Sequence, residues 1–251
     1  MGYTKRIEEQ KLKVDIYSSH RNVTKSDIKN KTAIVIDVLR SSSTLIAAFN
    51  NGLKRFLVVD SPIDAPRFKE TLNNDRVLMG GTENHGFITG FDVGDLLDDY
   101  RPTVVRGKEL IYYNADFSPA LKKAHMAQHV LLGGLINQRA VAKKLISLNT
   151  DVAIMCAGTN GNFSIEDGLA AGGLVKELQT QGVEPQLSEY AYVLQRMYST
   201  YKNNLLSAVK HSRTYQSLVH VGLEHDVLHA LLPNQYDFAP ELYDNWITVK
   251  R

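Results

Sequence analysis

The sequence has a single cysteine, Cys156, among 251 residues. One thiol cannot form an intramolecular disulfide or a thiolate zinc site, which excludes disulfide-stabilised secreted scaffolds and indicates a reducing compartment. The stretch from Met1 to Lys13 is polar and charged and therefore predicts no signal peptide. No apolar run approaches the roughly 20 residues that a membrane-spanning helix needs. We therefore expect a cytoplasmic protein with no membrane partner.

An excess of charge of one sign is also missing. The chain has 29 Lys and Arg residues against 27 Asp and Glu residues, so its formal net charge is +2. It contains no run of roughly five or six like charges, which predicts that nucleic acid is not a partner. Hydrophobic residues make up 43% of the chain, enough at this length for a substantial core.

The common phosphate-binding signatures are absent as well. The sequence contains neither the G-x-x-x-x-G-K-[ST] loop nor the G-x-G-x-x-G turn. Cys156 is followed six residues later by Asn162, where a cysteine phosphatase has Arg. Two residues after Asp37 stands Leu39, where a phospho-aspartate enzyme has a second acid. Phosphate chemistry in this chain would therefore need a different set of residues.

What the sequence does contain is a pattern that occurs three times: an apolar strand, a small polar turn and an amphipathic helix. The pattern predicts strands at 33–36, 109–113 and 152–156, followed by helices at 44–50, 119–127 and 165–179. Apolar strands without alternation, joined by helices, are typical of strands covered on both faces. We therefore predict an α/β fold with a largely parallel or mixed sheet.

The domain organisation predicted from the sequence is simple. No linker rich in Gly, Ser or Pro divides the chain, so we expect one α/β unit over residues 1–251. Residues 1–11 are predicted to be a flexible N-terminal extension, and the segment 186–251 is predicted to be a helical C-terminal part.

Polar residues follow the predicted strands directly, at the sheet edge where α/β folds bind ligands. Asp37 comes immediately after the strand 33–36, where its carboxylate could hold a metal or contact a substrate. A turn acid or helix N-cap is the alternative for Asp37. Arg40 could bind an anion through two hydrogen bonds, or form a plain surface salt bridge.

Four hydroxyl residues in a row, Ser41 to Thr44, open the first predicted helix. Hydroxyls and free backbone N–H groups at a helix start can bind a phosphate or a sulfonate. Ordinary N-capping is the alternative, although a cap needs only one of the four residues.

Acidic residues in two later loops have a similar ambiguity. Glu166 and Asp167 follow the Gly- and Asn-rich loop 158–164, and Ser164-x-x-Asp167 fits a capping box, which is the default interpretation of Asp167. Adjacent acids at a helix start could instead bind Mg²⁺. Glu83, in the loop 80–86, is a further acid with the same two interpretations.

Three motifs in this order resemble the 2-phosphosulfolactate phosphatase (ComB) family, over about residues 12–235. They are Ile34-Val35-Ile36-Asp37-Val38-Leu39-Arg40-Ser41-Ser42-Ser43-Thr44, Gly90-Phe91-Asp92-Val93-Gly94, and Cys156-Ala157-Gly158-Thr159 running into Phe163-Ser164-Ile165-Glu166-Asp167. The resemblance implies a three-layer α/β/α fold and Mg²⁺-dependent hydrolysis of (R)-2-phospho-3-sulfolactate to sulfolactate and phosphate. It also favours a homodimer.

The same resemblance implies roles for individual residues in a site for a small anionic substrate. Three residues become candidates for catalysis: Asp37, Arg40 and Glu166. The candidates for holding Mg²⁺ are Asp37, Glu83, Glu166 and Asp167. The candidates for binding the substrate are Arg40, Ser42, Ser43, Asn114 and Ser118.

The chain departs from the family pattern at three places. Phe117 stands where the family has a glycine, which predicts an obstructed approach to an anion, and Asp116 stands where it has a neutral amide. The loop after Glu83 lacks the family's Arg, and Asp95-Leu96-Leu97 replaces Asn-Ser-Pro after Gly94. These departures leave an alternative open: a homologue with altered catalysis that binds an anionic metabolite or a partner protein, or a phosphatase of changed substrate.

Overall fold

The computed structural model describes residues 11–83 and 86–250. The predicted N-terminal extension lies outside the described residues, apart from Lys11. The described part contains eleven strands: β1 (Lys13–Tyr17), β2 (Thr32–Ile36), β3 (Arg55–Val58), β4 (Val77–Glu83), β5 (Gly86–Phe87), β6 (Glu109–Asn114), β7 (His129–Gly133), β8 (Val152–Cys156), β9 (Gln186–Leu187), β10 (Glu241–Tyr243) and β11 (Trp246–Thr248).

The α-helices of the described part are α1 (Lys25–Ile28), α2 (Ser41–Asn50), α3 (Asp64–Leu72), α4 (Pro102–Val105), α5 (Phe117–Ala124), α6 (Gln138–Leu148), α7 (Ile165–Thr180), α8 (Glu189–Tyr201), α9 (Leu205–Val209), α10 (Arg213–His220) and α11 (Glu224–Ala230). Short 3-10 helices lie at His20–Asn22, Leu97–Tyr100 and Leu135–Asn137. Within the described residues, no helix is both long and apolar enough to cross a membrane.

The strands predicted from apolar runs are buried throughout. Every residue of β2 and of β8 is buried, which is the burial expected of strands covered on both faces. The strands form one mixed sheet in the order β5-β4-β6-β3-β11-β10-β7-β2-β8-β1-β9. The predicted α/β class with a mixed sheet is therefore confirmed.

The sheet consists of two parallel halves joined by an antiparallel hairpin. One half consists of the parallel neighbours β4, β6 and β3. The other half consists of the parallel neighbours β7, β2, β8, β1 and β9. The hairpin β10–β11 lies between them and pairs with β7 and β3. The sequence predicted only helices here, because three-residue strands are too short for a clear alternation. The turn between them is made by Asp244 and Asn245 with φ of 46° and 69°.

Three groups of buried side chains lie on the faces of these halves. One covers the Ile34 face of β2 together with α6, α7 and α8. The second covers the Val35 face of β2, α2, α5 and the Tyr112 face of β6. The third covers the Ile111 face of β6 and Ala65 of α3. Because α5 contacts strands of both halves, it helps bring the turns that follow β2, β6 and β8 together.

Candidate active site

The polar turns after β2, β6 and β8 meet, as their positions at strand ends predict. The backbone N–H of Val38, after β2, donates to Asp167 Oδ1 at 2.8 Å. The N–H of Asn160, in the loop after β8, donates to Asp116 Oδ2 at 2.8 Å, and Asp116 follows β6. The three turns therefore form one continuous site at the carboxyl ends of these strands.

Asp37 is buried at the end of β2, with 7% of its surface exposed. Burial raises the pKa of Asp37 to about 7, and the Ser41 hydroxyl opposes part of this rise. The charges of three neighbouring carboxylates add to the rise: Asp116, Asp95 and Glu166. Asp37 and these three residues form a group of neighbouring carboxylates that we call the acid cluster. Repulsion among their charges favours a bound cation or a proton at Asp37.

The adjacent acids Glu166 and Asp167, at the start of α7, differ in their bonding. Asp167 accepts hydrogen bonds from the N–H groups of Val38 at 2.8 Å and Gly158 at 3.1 Å, one on each oxygen. The predicted capping box with Ser164 is wrong, because the Ser164 side chain makes no cap hydrogen bond and the Asp167 oxygens bond to the two neighbouring turns instead. Glu166 is 1% exposed, and its Oε2 has no hydrogen-bond partner.

Burial raises the pKa of Asp167 well above its usual range, and the charges of Asp37 and Glu166 raise it further. The two backbone hydrogen bonds oppose this rise. Asp167 therefore belongs to the acid cluster while also joining the turns after β2 and β8.

Arg40 is buried and paired with Asp95 through Nη2. Its Nη1 lies 3.8 Å from Asp226 Oδ2 and has no hydrogen-bond partner. The surface salt bridge considered for Arg40 is therefore wrong, because both members of the pair are buried. Asp95 also accepts a hydrogen bond from Thr82 Oγ1 at 3.0 Å. The sequence marked Asp95 only as a departure from the family pattern, although it directly follows the Gly90–Gly94 motif.

The hydroxyl run that opens α2 is largely used within the turn itself. Ser42 Oγ donates to the carbonyl oxygen of Asp37 at 2.7 Å, and Ser43 Oγ donates to that of Val38 at 2.8 Å. Ordinary N-capping by these residues is wrong, because Arg40 is the N-cap of α2 and no side chain caps the helix. Ser41 Oγ is buried and makes no hydrogen bond of normal geometry, although it lies near enough to Asp37 to lower the pKa of that carboxyl, so it is the hydroxyl left for a ligand.

Asn114 and Ser118 shape the turn between β6 and α5. Asn114 Oδ1 accepts hydrogen bonds from the N–H groups of Asp116 and Phe117, each at 3.0 Å, and Ser118 Oγ accepts from the N–H of Asn114 at 3.0 Å. The Phe117 ring is fully buried against the Tyr112 ring, with centroids 5.9 Å apart. The side chain of Phe117 therefore points into the core and does not fill the turn.

Glu83 directly follows Thr82, which donates a hydrogen bond to Asp95. Glu83 is exposed at the end of β4. Burial is the main cause that raises the pKa of Tyr113, and the charge of Glu83 raises it further. The predicted role of Glu83 in holding a metal stays a prediction, as do the predicted substrate roles of Ser42, Ser43, Asn114 and Ser118.

Buried polar atoms without a partner are concentrated at this site. The described part of the chain has five such side-chain atoms, and four of them surround the acid cluster: Arg40 Nη1, Ser41 Oγ, Tyr112 OH and Glu166 Oε2. We call these four residues the unpartnered group. Buried polar groups in native proteins are normally hydrogen-bonded, so a concentration of exceptions indicates a place for a ligand.

A cavity of about 660 Å³ adjoins the acid cluster. Glu166 lines it, together with residues of the loop after β8 and of the start of α10, including Thr159, Phe163, His211, Arg213 and Thr214. A small phosphorylated acid would fit within this volume.

Mg²⁺ fits the donor set at this site. Within residues 11–83 and 86–250, no three His, Cys, Asp or Glu side chains are arranged to hold a metal by themselves. Mg²⁺ in phosphate-transfer sites, however, is usually bound by one or two carboxylates, waters and the substrate phosphate. Asp37 and Glu166 supply two buried carboxylates, and the free Oε2 of Glu166 is a suitable ligand atom.

A family model described as 2-phosphosulpholactate phosphatase matches residues 17–245. The chain belongs to this family. A probable 2-phosphosulfolactate phosphatase of Caldanaerobacter subterraneus is 33% identical over 228 residues, covering 90% of this chain and 93% of its own. The protein of the same name from Clostridium acetobutylicum is 34% identical over 215 residues, covering 86% and 91%. The one from Clostridium novyi is 32% identical over 237 residues, covering 94% and 100%.

Proposed function

We propose that this protein hydrolyses a small organic phosphate monoester with the help of Mg²⁺, and that the ester is 2-phosphosulfolactate. The family is one of phosphoric monoester hydrolases, and the relatives described above are named for this substrate. The match covers most of the chain, including every element that contributes to the candidate site.

The observation that carries this proposal is the unpartnered group beside the buried acid cluster. Arg40 and the hydroxyls of Ser41 and Tyr112 offer hydrogen-bond donors, whereas Glu166 offers an acceptor. A phosphate with a bound cation supplies acceptors for the first three and a positive charge for the carboxylates. A neutral or purely cationic ligand would satisfy only part of the set.

Asp37 and Glu166 are the residues that we expect to hold Mg²⁺. Held there, Mg²⁺ would supply polarisation of the phosphoryl group and activation of a water for attack. Arg40 is held in position by Asp95, and its Nη1, which makes no hydrogen bond, donates to a phosphoryl oxygen. The Ser41 and Tyr112 hydroxyls donate to further oxygens and exclude water from the reacting group.

A second candidate function is binding of an anionic metabolite without catalysis. The departures from the family pattern favour it, because Asp95 neutralises the arginine that would stabilise charge on the transferring group and the loop after Glu83 lacks the family's Arg. The free Glu166 oxygen favours the first function, because a protein that binds only an anion has no use for an unpaired buried acid.

The test is Mg²⁺-dependent phosphate release from sulfonated and carboxylated phosphate esters. We expect turnover by the wild type and a loss of at least about 100-fold in kcat for Asp37→Asn, since removal of one group that stabilises the transition state costs about that much. The matched control is Asp75→Asn, an exposed acid outside the site, which should leave the rate unchanged.

Unchanged phosphate release by Asp37→Asn would contradict the proposed function. If the wild type releases no phosphate from any ester and calorimetry detects no Mg²⁺ binding, the non-catalytic alternative is supported instead.

A further inference from the structure

The cavity beside the acid cluster has a basic wall formed by the start of α10. His211, Arg213, Thr214 and Ser217 line it, and both His211 and Arg213 are exposed. This wall is distinct from the acid cluster in charge and comes from a different part of the chain, after the turn that ends α9.

The basic wall is fixed to the loop after β8 that forms the other part of the cavity. Thr214 Oγ1 lies 3.1 Å from Thr159 Oγ1 in that loop. Ser212 caps α10 by accepting a hydrogen bond from the N–H of Tyr215 at 3.0 Å. Both hydroxyl residues, Ser212 and Thr214, are buried, so the backbone that carries Arg213 is held in place.

Arg213 differs from Arg40 in having no partner. In the part of the chain that the structure describes, the Arg213 side chain makes no hydrogen bond and no ion pair, whereas Arg40 pairs with Asp95. A planar guanidinium with five N–H donors binds oxyanions through two parallel bonds. The start of an eight-residue helix adds backbone N–H groups and a favourable dipole beside it.

A second observation indicates that this cavity holds a ligand. Glu166 is 1% exposed, lines the cavity and has an Oε2 without a partner, and its charge acts on Asp37. Glu166 therefore connects the acid cluster to the cavity that Arg213 lines. A ligand that contacts both parts needs one group for the acid cluster and its cation, and a separate anionic group for the basic wall.

We propose that Arg213 binds the sulfonate of the substrate and determines specificity for it. This inference rests on the proposed function, in which the phosphate binds at the acid cluster. In 2-phosphosulfolactate the carbon that bears the phosphate also bears the carboxylate, and the sulfonate is one carbon farther away. The sulfonate is thus the group that extends farthest from the reacting phosphate, toward the cavity that Glu166 and Arg213 both line.

A matched series of three esters tests this assignment with Mg²⁺ present. 2-Phosphosulfolactate carries both acid groups, 2-phospholactate lacks the sulfonate, and isopropyl phosphate lacks both. We expect Arg213→Gln to raise the KM for 2-phosphosulfolactate at least about tenfold, the effect of losing one charge-assisted pair, with kcat nearly unchanged. Its kinetics with the other two esters should match those of the wild type.

The control variant is Arg196→Gln, which removes an exposed arginine of α8 that does not line the cavity. It should behave as the wild type with all three esters. Because Arg213 is exposed, Arg213→Gln should also keep the wild-type Tm, which shows that any kinetic change is not a loss of folding.

Two kinetic results would overturn the inference while leaving the proposed function intact. One is an equal rise in KM for 2-phospholactate, which would assign Arg213 to the carboxylate. The other is a wild-type KM for 2-phosphosulfolactate in Arg213→Gln.

If the wild type hydrolyses none of the three esters, the proposed function fails, and calorimetry with sulfolactate decides the inference separately. Binding that is at least about tenfold weaker for Arg213→Gln than for the wild type supports the sulfonate site. Equal binding, or no binding by the wild type, overturns it.

Discussion

Two sets of buried polar residues at the candidate site differ in how their side chains are bonded. The first set bonds to the backbone and holds the turns after β2, β6 and β8; we call it the frame, and it consists of Ser42, Ser43, Asn114, Ser118 and Asp167. The second is the unpartnered group, each member of which has one buried polar atom without a hydrogen bond. Both sets are buried or half-buried, and they lie within a few residues of each other along the chain.

Side-chain bonding separates the residues that support the structure from those that are available for chemistry. Losing a frame residue leaves buried backbone N–H or C=O groups without a partner, which costs stability. Arg40 is the exception in the unpartnered group, because its substitution would also leave the buried Asp95 without its ion pair. Substitutions in the frame should therefore lower stability first, and substitutions of Ser41, Tyr112 or Glu166 should lower activity first.

Asp167→Ala should give the largest loss of stability. It removes the acceptor for the N–H groups of Val38 and Gly158, and each buried donor left without a partner costs about 1–3 kcal/mol. We expect the free energy of unfolding to fall by about 2–4 kcal/mol in urea denaturation. Wild-type stability in this variant would show that the Asp167 bonds do not hold the turns.

Glu166→Gln should show the reverse behaviour. The change keeps the shape of the side chain and removes a buried charge without a partner, so stability should stay the same or rise. Mg²⁺-dependent turnover should fall about 10–100-fold. The matched control is Glu177→Gln on the same helix, outside the site, which should keep wild-type turnover.

A loss of stability in Glu166→Gln comparable to that of Asp167→Ala would remove the distinction between the two sets. Urea denaturation of both variants under the same conditions provides this comparison.

The pH dependence of stability should show a smaller effect. The pKa of Asp37 is raised to about 7 in the folded protein, so its contribution to stability is present at low pH and is lost as pH rises through about 7. Without divalent cations, the Tm of the wild type relative to Asp37→Asn should therefore fall between about pH 4 and pH 7 and stay level above pH 7.

Mg²⁺ should raise the wild-type Tm more at pH 8.5 than at pH 6, because it binds the deprotonated carboxylate. Thermal unfolding with and without chelator measures both effects. A difference between wild type and Asp37→Asn that does not change with pH would contradict the acid cluster as described.

Most of the fold could be predicted from local patterns. The strand predicted at 152–156 is β8 with the same bounds, and the helix predicted at 165–179 is α7 extended by one residue. Burial on both faces produces an unbroken apolar run, so these strands are recognisable one at a time. The hairpin β10–β11 was not recognisable from a local pattern, because its position depends on pairing with β7 and β3, which are distant in sequence.

The composition of the site was predictable, but the bonding of its residues was not. Strand ends and the family motifs identified Asp37, Arg40 and Glu166, all of which are buried at the site. The pairing of Arg40 with Asp95 joins residues 55 positions apart, which no local pattern indicates. Similarly, four adjacent hydroxyls look equivalent in sequence, and only the path of the turn leaves Ser41 without a partner.

The position of the β10–β11 hairpin has a consequence for how the protein is made. A ribosome synthesises these two strands after the nine other strands of the described part, yet they lie in the middle of the sheet. The two halves can each pair internally during synthesis, but their shared hydrogen-bonded edge is completed only once residues 241–248 have left the exit tunnel. Until then each half exposes an edge strand, so early chaperone contact should be concentrated on β3 and β7.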